Sequence, residues 1–412
     1  MQVKEYMISK AVQKIRTEWA ISDAKRDAGL VTPENMVRYD NISYGPYGEW
    51  NLLDIYHTND ALSVQPAIIS VHGGAWVYGS KELYQYYCMK LAQRGFTVVN
   101  FNYRLAPENA YPAPLHDINQ VLCFLKEQGE KYLVDTENLF MVGDSAGAQL
   151  LSQYLTIYSN PEYAALFEMQ VPEVSVRAAA LNCGIYDTAK CARDGLDEPF
   201  LEYIGKQVVK KITAGEGVPE SLNTIKYMTG DFPPSYIMTS YHDFLKHNAK
   251  PLYQHLTELG VPCEYKMYGS EEEKEIAHVF HVDCKLLTAD KCNDEECAFF
   301  EKYMRRITMQ VKEASVTESG LTCIINNDTE KDYSFGRDYM LQKKEENKWQ
   351  DVLPVREAAM TLELLWVPSG ESESLAINWE EAYGQLENGH YRVIKPVSNT
   401  ESRVLLSAEF MI

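Results

Sequence analysis

Short apolar runs that alternate with helical stretches constrain the fold of this chain most. The strand-like runs are Asn51–His57, Ala67–His72, Thr97–Tyr103, Leu139–Asp144, Ala178–Cys183, Ser235–Ser240 and Cys263–Tyr268. Segments with helical spacing of apolar residues lie between them, at Lys81–Gln93, His116–Gln128, Ala146–Tyr158 and Phe244–Leu259. This alternation predicts an α/β fold with a mostly parallel sheet that helices cover on both faces. Ligands of such sheets bind at the carboxyl ends of the strands.

The chain departs from this alternation in two places. An insertion at about residues 184–232 includes the helical stretch "DEPFLEYIGKQVVKKITAG" and is expected to cover the strand ends. After about residue 310 the helical patterns vanish, and about seven short strand-like runs follow. That texture is typical of a β-sandwich, so the 412-residue chain is predicted to form two domains, residues 1–308 and 312–412.

The charge of the chain argues against several classes of partner. Acidic residues outnumber basic residues 59 to 39, which gives a formal net charge of −20. Nucleic acids and anionic membrane surfaces both need clusters of Lys and Arg, so neither is expected as a partner. No apolar run is long enough for a membrane helix, and the N-terminus lacks the apolar core of a secretory signal. We therefore expect no membrane span and a cytoplasmic location.

The cysteines indicate reduced thiols. They number nine, most of them lie in apolar runs, and no C-x-x-C pair occurs among them. Cys284, Cys292 and Cys297 lie near His278 and His281, but their spacing fits no common zinc template. We therefore expect neither a metal nor another cofactor.

The segment Gly143-Asp144-Ser145-Ala146-Gly147 has the pattern G-x-S-x-G between a predicted strand and a predicted helix. A sharp strand-to-helix turn needs small flanking residues, and it exposes the serine oxygen at the edge of the sheet. The N–H group of Ala146 would lie at a helix N-terminus, where it can donate to a developing oxyanion. Ser145 is therefore a candidate nucleophile, although a Gly/Ser turn that has no catalytic role can have the same sequence.

A second glycine turn, "HGGAW" at residues 72–76, follows another predicted strand. Two glycines let the backbone approach a ligand closely. The N–H groups of Gly73 and Gly74 can then complete an oxyanion hole with that of Ala146. His72 is expected to orient this loop rather than to act as a base.

A serine nucleophile needs a general base and a residue that orients the base. Asp243 stands directly after one apolar strand, and His278 follows the next strand and a charged loop. The order Ser145, Asp243, His278 fits this architecture. Rival acids are Asp187 and Asp231, and rival bases are His242 and His281.

Three motifs in this order, "HGGAW", "NYRLAPE" (Asn102–Glu108) and "GDSAG", resemble the hormone-sensitive-lipase-like branch of the α/β hydrolases over about residues 40–305. The resemblance implies an α/β-hydrolase sheet with Ser145 as nucleophile, His278 as general base and Asp243 as the orienting acid. The oxyanion donors that it implies are Gly73, Gly74 and Ala146, and the implied cap consists of residues 1–40 and about 184–232.

Residues beside these motifs are expected to support the site. In "YRLAPE", Arg104 is expected to anchor a turn that Pro107 stiffens. Asp144 is expected to stabilise the turn around the nucleophile. Trp76 and Tyr78 are candidates for the pocket lining, and core aromatic residues would have the same pattern.

Residues 312–412 resemble bacterial immunoglobulin-like domains in the stretches "YSFGRDYMLQKKEENKWQDVLP" and "GHYRVIKPV". They carry no residue set that points to chemistry, and their ligand is not evident from the sequence. By resemblance, the chain is expected to be a bacterial serine carboxylesterase that acts on short-chain acyl esters of small molecules through an acyl-enzyme.

Other functions stay open from the sequence. An amidase, a formamidase or a peptidase could use the same triad. A non-catalytic binding protein could act through the C-terminal domain. The sequence also leaves a homo-oligomer open.

Overall fold

The computed structural model describes residues 9–194, 198–346, 348–356, 363–400 and 403–412. Contacts between residues divide the chain into two units. One unit contains residues up to 61 together with 65–304, and the other contains residues 62–64 and 305–412. Two parts of the expected cap, residues 1–8 and 195–197, lie outside the described residues.

A single large sheet forms the centre of the first unit. Its strands are β1 (Met36–Ser43), β2 (Leu52–Thr58), β3 (Gln65–Val71), β4 (Thr97–Phe101), β5 (Val134–Asp144), β6 (Val176–Asn182), β7 (Ser235–Ser240) and β8 (Cys263–Tyr268). They lie in the order β1-β2-β4-β3-β5-β6-β7-β8. The six strands from β4 to β8 in this order are parallel. At one edge β2 pairs antiparallel with β4, and β1 pairs antiparallel with β2. The predicted mostly parallel α/β sheet is confirmed.

Strand β1 is absent from the strands predicted above. Its sequence, "MVRYDNIS", contains charged and polar residues and no continuous apolar run. The strand is partly exposed, and its register with β2 is interrupted between Tyr39 and Ile42. An edge strand of this kind is defined by its partner rather than by its own hydrophobic pattern.

Helices cover both faces of this sheet. The helices described in this unit are α1 (Lys10–Asp27), α2 (Lys81–Ala92), α3 (Ala113–Gln128), α4 (Ala146–Ser159), α5 (Pro161–Ala165), α6 (Thr188–Asp194), α7 (Glu198–Ile204), α8 (Lys206–Thr213), α9 (Thr224–Tyr227), α10 (Ala249–Glu258) and α11 (Leu287–Glu301). Short 3₁₀ helices lie at Gly48–Asn51, Gly129–Tyr132, Glu220–Leu222, Lys246–Asn248 and Phe280–Val282. Among the described helices, none combines the length and the apolar character that crossing a bilayer requires.

Alternate residues of the central strands supply two separate apolar cores. Ile69 and Met141 belong to one core, and their neighbours Ile68 and Phe140 belong to the other. Successive side chains of a strand point to opposite faces, so a strand with both faces covered must be apolar at every position. This requirement explains the continuous apolar runs in the sequence.

The second unit is built from antiparallel strands. They are β9 (Ile307–Val311), β10 (Gly320–Asn327), β11 (Tyr333–Phe335), β12 (Met340–Glu345), β13 (Lys348–Asp351), β14 (Leu365–Val367), β15 (Ser372–Asn378), β16 (His390–Ser398) and β17 (Arg403–Met411), with helix α12 at Glu380–Tyr383. One sheet has the order β15-β10-β9, and the other has the order β13-β12-β16-β11-β14 with β17 paired to β16. Residues of both sheets enclose a common core that includes the fully buried Trp379. The predicted all-β C-terminal fold is confirmed.

Candidate active site

Ser145 lies at the sharp turn between β5 and α4, with φ 53° and ψ −119°. A positive φ at a residue other than glycine is strained, and such strain is concentrated at functional sites. The flanking glycines are needed because a Cβ on Gly143 would lie 2.7 Å from the carbonyl oxygen of Gly147. A Cβ on Gly147 would lie 2.1 Å from the carbonyl oxygen of Val71. The close packing of this turn therefore explains the small residues on both sides of the serine.

His278 connects Ser145 to Asp243. Its Nε2 lies 2.9 Å from Ser145 Oγ, and its Nδ1 lies 2.7 Å from Asp243 Oδ1. Asp243 follows β7 and His278 follows β8, so both residues lie at the carboxyl ends of parallel strands, as Ser145 does. The structure therefore brings the three expected side chains into one hydrogen-bonded chain.

Several hydrogen bonds hold the carboxylate of Asp243. The hydroxyl of Thr239 donates to Oδ2 at 2.7 Å, and the N–H of Leu245 donates to Oδ1 at 2.8 Å. Burial alone would raise the pKa of Asp243. The hydrogen bonds to its carboxylate, of which that from His278 has the largest effect, hold the pKa below its ordinary value. An ionised Asp243 keeps a proton on Nδ1 of His278, which leaves Nε2 to accept from the serine hydroxyl.

The rival acids and bases lie outside this chain of hydrogen bonds. Nε2 of His242 lies 3.1 Å from the backbone carbonyl oxygen of Glu271. His281 is buried, and burial lowers its pKa to about 3. Asp187 accepts from the N–H of Lys190 at the start of α6, and Asp231 is exposed.

The loop at residues 72–76 has a strained backbone. Gly74, Ala75 and Trp76 have φ values of 121°, 50° and 61°. Within the described residues, the N–H groups of Gly74, Ala75 and Ala146 have no hydrogen-bond acceptor. Backbone N–H groups without an acceptor near a nucleophile are suited to bind the oxygen of a ligand.

The N–H of Gly73, an expected oxyanion donor, is already hydrogen-bonded in this structure. Its N–H donates to the hydroxyl of Tyr84 at 3.0 Å, and that hydroxyl donates to Asp144 Oδ2 at 2.8 Å. A Cβ on Gly73 would lie 2.6 Å from the same Asp144 oxygen, so the position requires glycine for packing. Tyr84, which no motif in the sequence marks, thus ties the glycine loop to the turn that carries Ser145.

His72 and Asp144 are buried beneath the two turns. The ring of His72 stacks on that of Tyr103 with centroids 4.1 Å apart, and its Nδ1 lies 2.7 Å from the carbonyl oxygen of Gly73. Burial lowers the pKa of His72 to about 4, so the ring supports the loop as a neutral group. Burial also raises the pKa of Asp144 to about 6, although the hydrogen bond from Tyr84 opposes this effect.

Trp76 and Tyr78 contact segments of the expected cap. The ring of Trp76 stacks on that of Tyr203 of α7 with centroids 5.1 Å apart, and its Nε1 donates to Gln149 of α4 at 2.8 Å. The hydroxyl of Tyr78 donates to Asp23 of α1 at 2.7 Å. Helices α1 and α7 therefore both pack against the loop that follows β3.

Arg104 forms a buried ion pair with Asp117. Its Nε lies 2.9 Å from Oδ1 of Asp117, its backbone N–H donates to Oδ2 at 2.8 Å, and its guanidinium lies 3.9 Å from the ring centroid of Tyr47. Burial raises the pKa of Asp117, and the bonds from Arg104 oppose this effect. The contacts of Arg104 are thus those of a residue that anchors the turn.

Replacing Arg104 with leucine is expected to lower the free energy of unfolding by about 3 kcal/mol, because Asp117 stays buried without its cation. The loss should be greater at about pH 8 than at about pH 5, because an unpaired buried carboxyl resists ionisation. Urea denaturation at both pH values measures it. Arg38→Leu, which removes a partly exposed pair with Asp40, is the control and should cost under about 1 kcal/mol. Equal losses in the two variants would contradict the anchoring role.

One group of possible metal ligands occurs within the described parts of the chain: Cys183, Asp243 and His278, whose ligand atoms lie within 4.8 Å of one another. Asp243 and His278 are already hydrogen-bonded to each other, and burial raises the pKa of the Cys183 thiol. Metals bind the thiolate, so this environment is unfavourable for a metal ion. The three cysteines singled out from the sequence take no part in the group.

A mostly parallel sheet with a serine at a strained turn, joined through a histidine to a buried aspartate, defines an α/β hydrolase. Residues 68–282 match the family described as alpha/beta hydrolase fold. Because this match covers more than half of the 412 residues, the chain belongs to that family. Residues 304–411 match the family described as bacterial Ig-like domain.

Several bacterial proteins are similar in sequence to the first part of the chain. "Probable carboxylic ester hydrolase LipM" of Mycobacterium tuberculosis is 29% identical over 209 residues, which are 50% of this chain and 48% of that protein. "Esterase LipQ" of the same organism is 29% identical over 231 residues, 53% of each chain. An "Acetyl esterase" of Salmonella paratyphi B is 26% identical over 252 residues, 58% of this chain and 73% of that protein. The chain thus spans about half the length of the two mycobacterial relatives.

Solved structures share the fold. Esterase B from Lactobacillus Rhamnosis superposes with a TM-score of 0.63 at 23% identity, over 71% of this chain and 94% of that chain. A bacterial heroin esterase superposes with a TM-score of 0.56 at 17% identity, over 72% and 92% of the two chains. At these identities the similarity establishes the fold alone.

Proposed function

We propose that the chain is a serine carboxylesterase that hydrolyses short-chain acyl esters through an acyl-enzyme intermediate. The observation that carries the proposal is the hydrogen-bonded chain from Ser145 through His278 to Asp243, which begins at a strained turn. The names of similar proteins, a probable carboxylic ester hydrolase and an acetyl esterase, support the same class of reaction. The proposed steps use only groups of this chain and water.

The first half of the reaction acylates Ser145. Nε2 of His278 accepts the hydroxyl proton while Ser145 Oγ attacks the ester carbonyl carbon. The ionised Asp243 stabilises the positive charge that forms on the imidazole and keeps the ring in its orientation. The tetrahedral intermediate then collapses, the proton passes from His278 to the departing alkoxide, and the alcohol leaves.

The second half of the reaction releases the acid. Nε2 of His278 takes a proton from a water molecule, which attacks the acyl carbon. The second tetrahedral intermediate collapses, Ser145 Oγ regains the proton from His278, and the carboxylic acid leaves. Each half uses the same base and the same oxyanion donors.

Gly74, Ala75 and Ala146 are the proposed oxyanion donors. Their N–H groups have no acceptor within the described residues, whereas that of Gly73 is bonded to Tyr84. Ala75 therefore takes the role that Gly73 was expected to have. Donors held by a strained backbone need no reorganisation as the negative charge develops.

Short acyl chains are proposed because large aromatic side chains pack around the donor loop. Trp76 follows Ala75 directly, and its ring contacts those of Phe200 and Tyr203 with centroids 5.3 and 5.1 Å apart. All three aromatic side chains are buried, which fixes their positions. Rings fixed beside the donor loop limit the length of acyl chain that can lie there.

Hydrolysis of p-nitrophenyl acetate, butyrate, octanoate and palmitate tests the proposal. We expect kcat/KM to be highest for acetate or butyrate and to fall on the order of tenfold or more at octanoate. A fluorophosphonate probe should label the protein, and peptide mass spectrometry should locate the adduct on Ser145. Heat-denatured protein serves as the control for non-specific labelling.

Three other outcomes would change the assignment. The absence of both turnover and labelling would contradict the assignment of Ser145 as nucleophile. It would favour a binding role for the C-terminal unit. Amide turnover as fast as ester turnover would favour an amidase or a peptidase. A maximum of kcat/KM at octanoate or palmitate would contradict the proposed chain length.

A further inference from the structure

A cluster of buried polar side chains lies behind the proposed triad. We define the polar cluster as Tyr87, Asn182, His281, Asn293 and Glu296. Each of these side chains is buried, and those of Asn182, His281 and Asn293 have a polar atom without a hydrogen-bond partner among the described residues. Buried polar groups carry a large free-energy cost unless they form hydrogen bonds, so a concentration of them beside an active site calls for a functional explanation.

Glu296 connects to the nucleophile through Asn182. The side-chain amide of Asn182 donates to Oε2 of Glu296 at 2.8 Å, and the backbone carbonyl of Asn182 accepts from the N–H of Ser145 at 2.9 Å. Asn182 is the last residue of β6 and pairs in register with Asp144, the residue before Ser145. The orientation of Asn182 therefore bears directly on the backbone that carries the nucleophile.

The same helix also connects to the loop that carries His278. Asn293 lies one turn before Glu296 on α11, and its side-chain amide donates to the backbone carbonyl of His281 at 3.1 Å. The ring of His281 also packs edge-on against Tyr87 with centroids 5.4 Å apart. One face of α11 thus contacts the segments that hold Ser145 and His278.

We propose that Glu296 is a positioning residue, which holds the side chain of Asn182 and thereby fixes the backbone of Ser145 relative to His278. The proposal rests on the function proposed above. Asn293 anchors the second segment to the same helix face, so that α11 sets the separation between nucleophile and base. Small displacements of reacting groups have large effects on rate, which gives such a helix kinetic importance.

The surroundings of Glu296 favour the uncharged form. Its side chain is fully buried, and its carboxyl faces the amide of Asn182 and the hydroxyl of Tyr87. Burial raises the pKa of Glu296 to about 7, although the Asn182 amide, Arg94 and the Tyr87 hydroxyl oppose this effect. The titratable and charged groups that face it are Cys292 and Cys297 of α11, Tyr87 of α2, Arg94 after α2, Asp144 of β5 and Tyr236 of β7.

The pH dependence follows from the direction of this pKa shift. Stability that the uncharged carboxyl provides is present in acid and is lost as the pH rises through about 7, because the unfolded chain binds the proton less tightly. Gln cannot ionise and has nearly the same shape. Glu296→Gln should therefore melt at a higher temperature than the wild type at about pH 8.5. At about pH 6 the increase in melting temperature should be smaller.

Kinetics with p-nitrophenyl butyrate test the positioning role in the full-length chain. Glu296→Ala should lower kcat on the order of tenfold and change KM by less than about twofold. Asn182→Ala should have a similar effect, and the double variant should lose little more than either single variant, because the two residues act in series. Glu296→Gln should restore kcat, and its kcat relative to wild type should rise several-fold between about pH 6 and about pH 8.5.

Glu301→Gln is the matched control, because Glu301 is an exposed acid at the end of the same helix. Its kcat and pH profile should equal those of the wild type. The proposal would be overturned if the losses of kcat in the two single variants added up in the double variant, or if KM changed instead of kcat. It would also be overturned if the ratio of the kcat of Glu296→Gln to that of the wild type stayed constant with pH. Failure of the wild type to turn over esters or to react with the fluorophosphonate probe would contradict the proposed function instead.

Discussion

Replacing Ser145 with alanine is expected to lower kcat for p-nitrophenyl butyrate by a factor of about 10⁴ or more without changing the fold. The hydroxyl oxygen is the proposed site of acylation, so its removal leaves only the oxyanion donors to accelerate attack by water. The contact of this hydroxyl with His278 is its one side-chain hydrogen bond within the described residues. Steady-state kinetics and thermal melting measure the two effects.

Ser152→Ala provides the control for this substitution. Ser152 is buried on the same helix, α4, and its hydroxyl donates to the carbonyl oxygen of Gln149 at 2.9 Å. Because this hydroxyl takes no part in the triad, kcat should stay within about twofold of the wild type. A Ser145→Ala enzyme with more than about one hundredth of wild-type kcat would contradict the nucleophile assignment.

Replacing Gly147 with alanine is expected to lower the free energy of unfolding of the first unit by about 4 kcal/mol or more. The new Cβ would lie 2.1 Å from the carbonyl oxygen of Val71 and 2.6 Å from that of His72. Both oxygens belong to the backbone at the end of β3, so neither can rotate away as a flexible side chain could. The strain would also move the glycine loop, so activity should fall together with stability.

Far-ultraviolet circular dichroism during urea denaturation measures this loss, because α1 to α11 all belong to the first unit. Ala148→Gly is the control on the same helix. It removes a methyl group and adds backbone freedom, so it should cost about 1 kcal/mol. Similar losses for the two variants would contradict the steric explanation of Gly147.

The strands and helices of the first unit were largely predictable from local patterns. Strands β7 and β8 have the bounds expected from the sequence, and α2 ends one residue before the end predicted for it. Every residue of β7 is buried, so its sequence shows a mostly apolar run. Strand β8 lies at the sheet edge and is only partly buried, but its aromatic residues still indicate a strand. Strand β1 lacks such a run, and only its pairing with β2 defines it.

The candidate site was predictable where chain order and strand ends were sufficient. Ser145, Asp243 and His278 each follow a strand of a parallel sheet, and such strands end at the same edge. The donor role expected of Gly73 could not be judged in this way. Its N–H is bonded to the hydroxyl of Tyr84 on α2, and the sequence around Tyr84 predicts only a helix.

The sequence by itself determined the parallel α/β sheet, the all-β C-terminal part and the three residues proposed to form the triad. Three features each produce a local pattern in the sequence: burial on both sheet faces, close packing at the serine turn, and strand order. Only the tertiary structure decided which N–H groups are available as donors, and only it brought Glu296 of α11 to Asn182 of β6. Those contacts join elements far apart in the chain, and a hydrogen bond between distant elements leaves no periodic pattern in either of them.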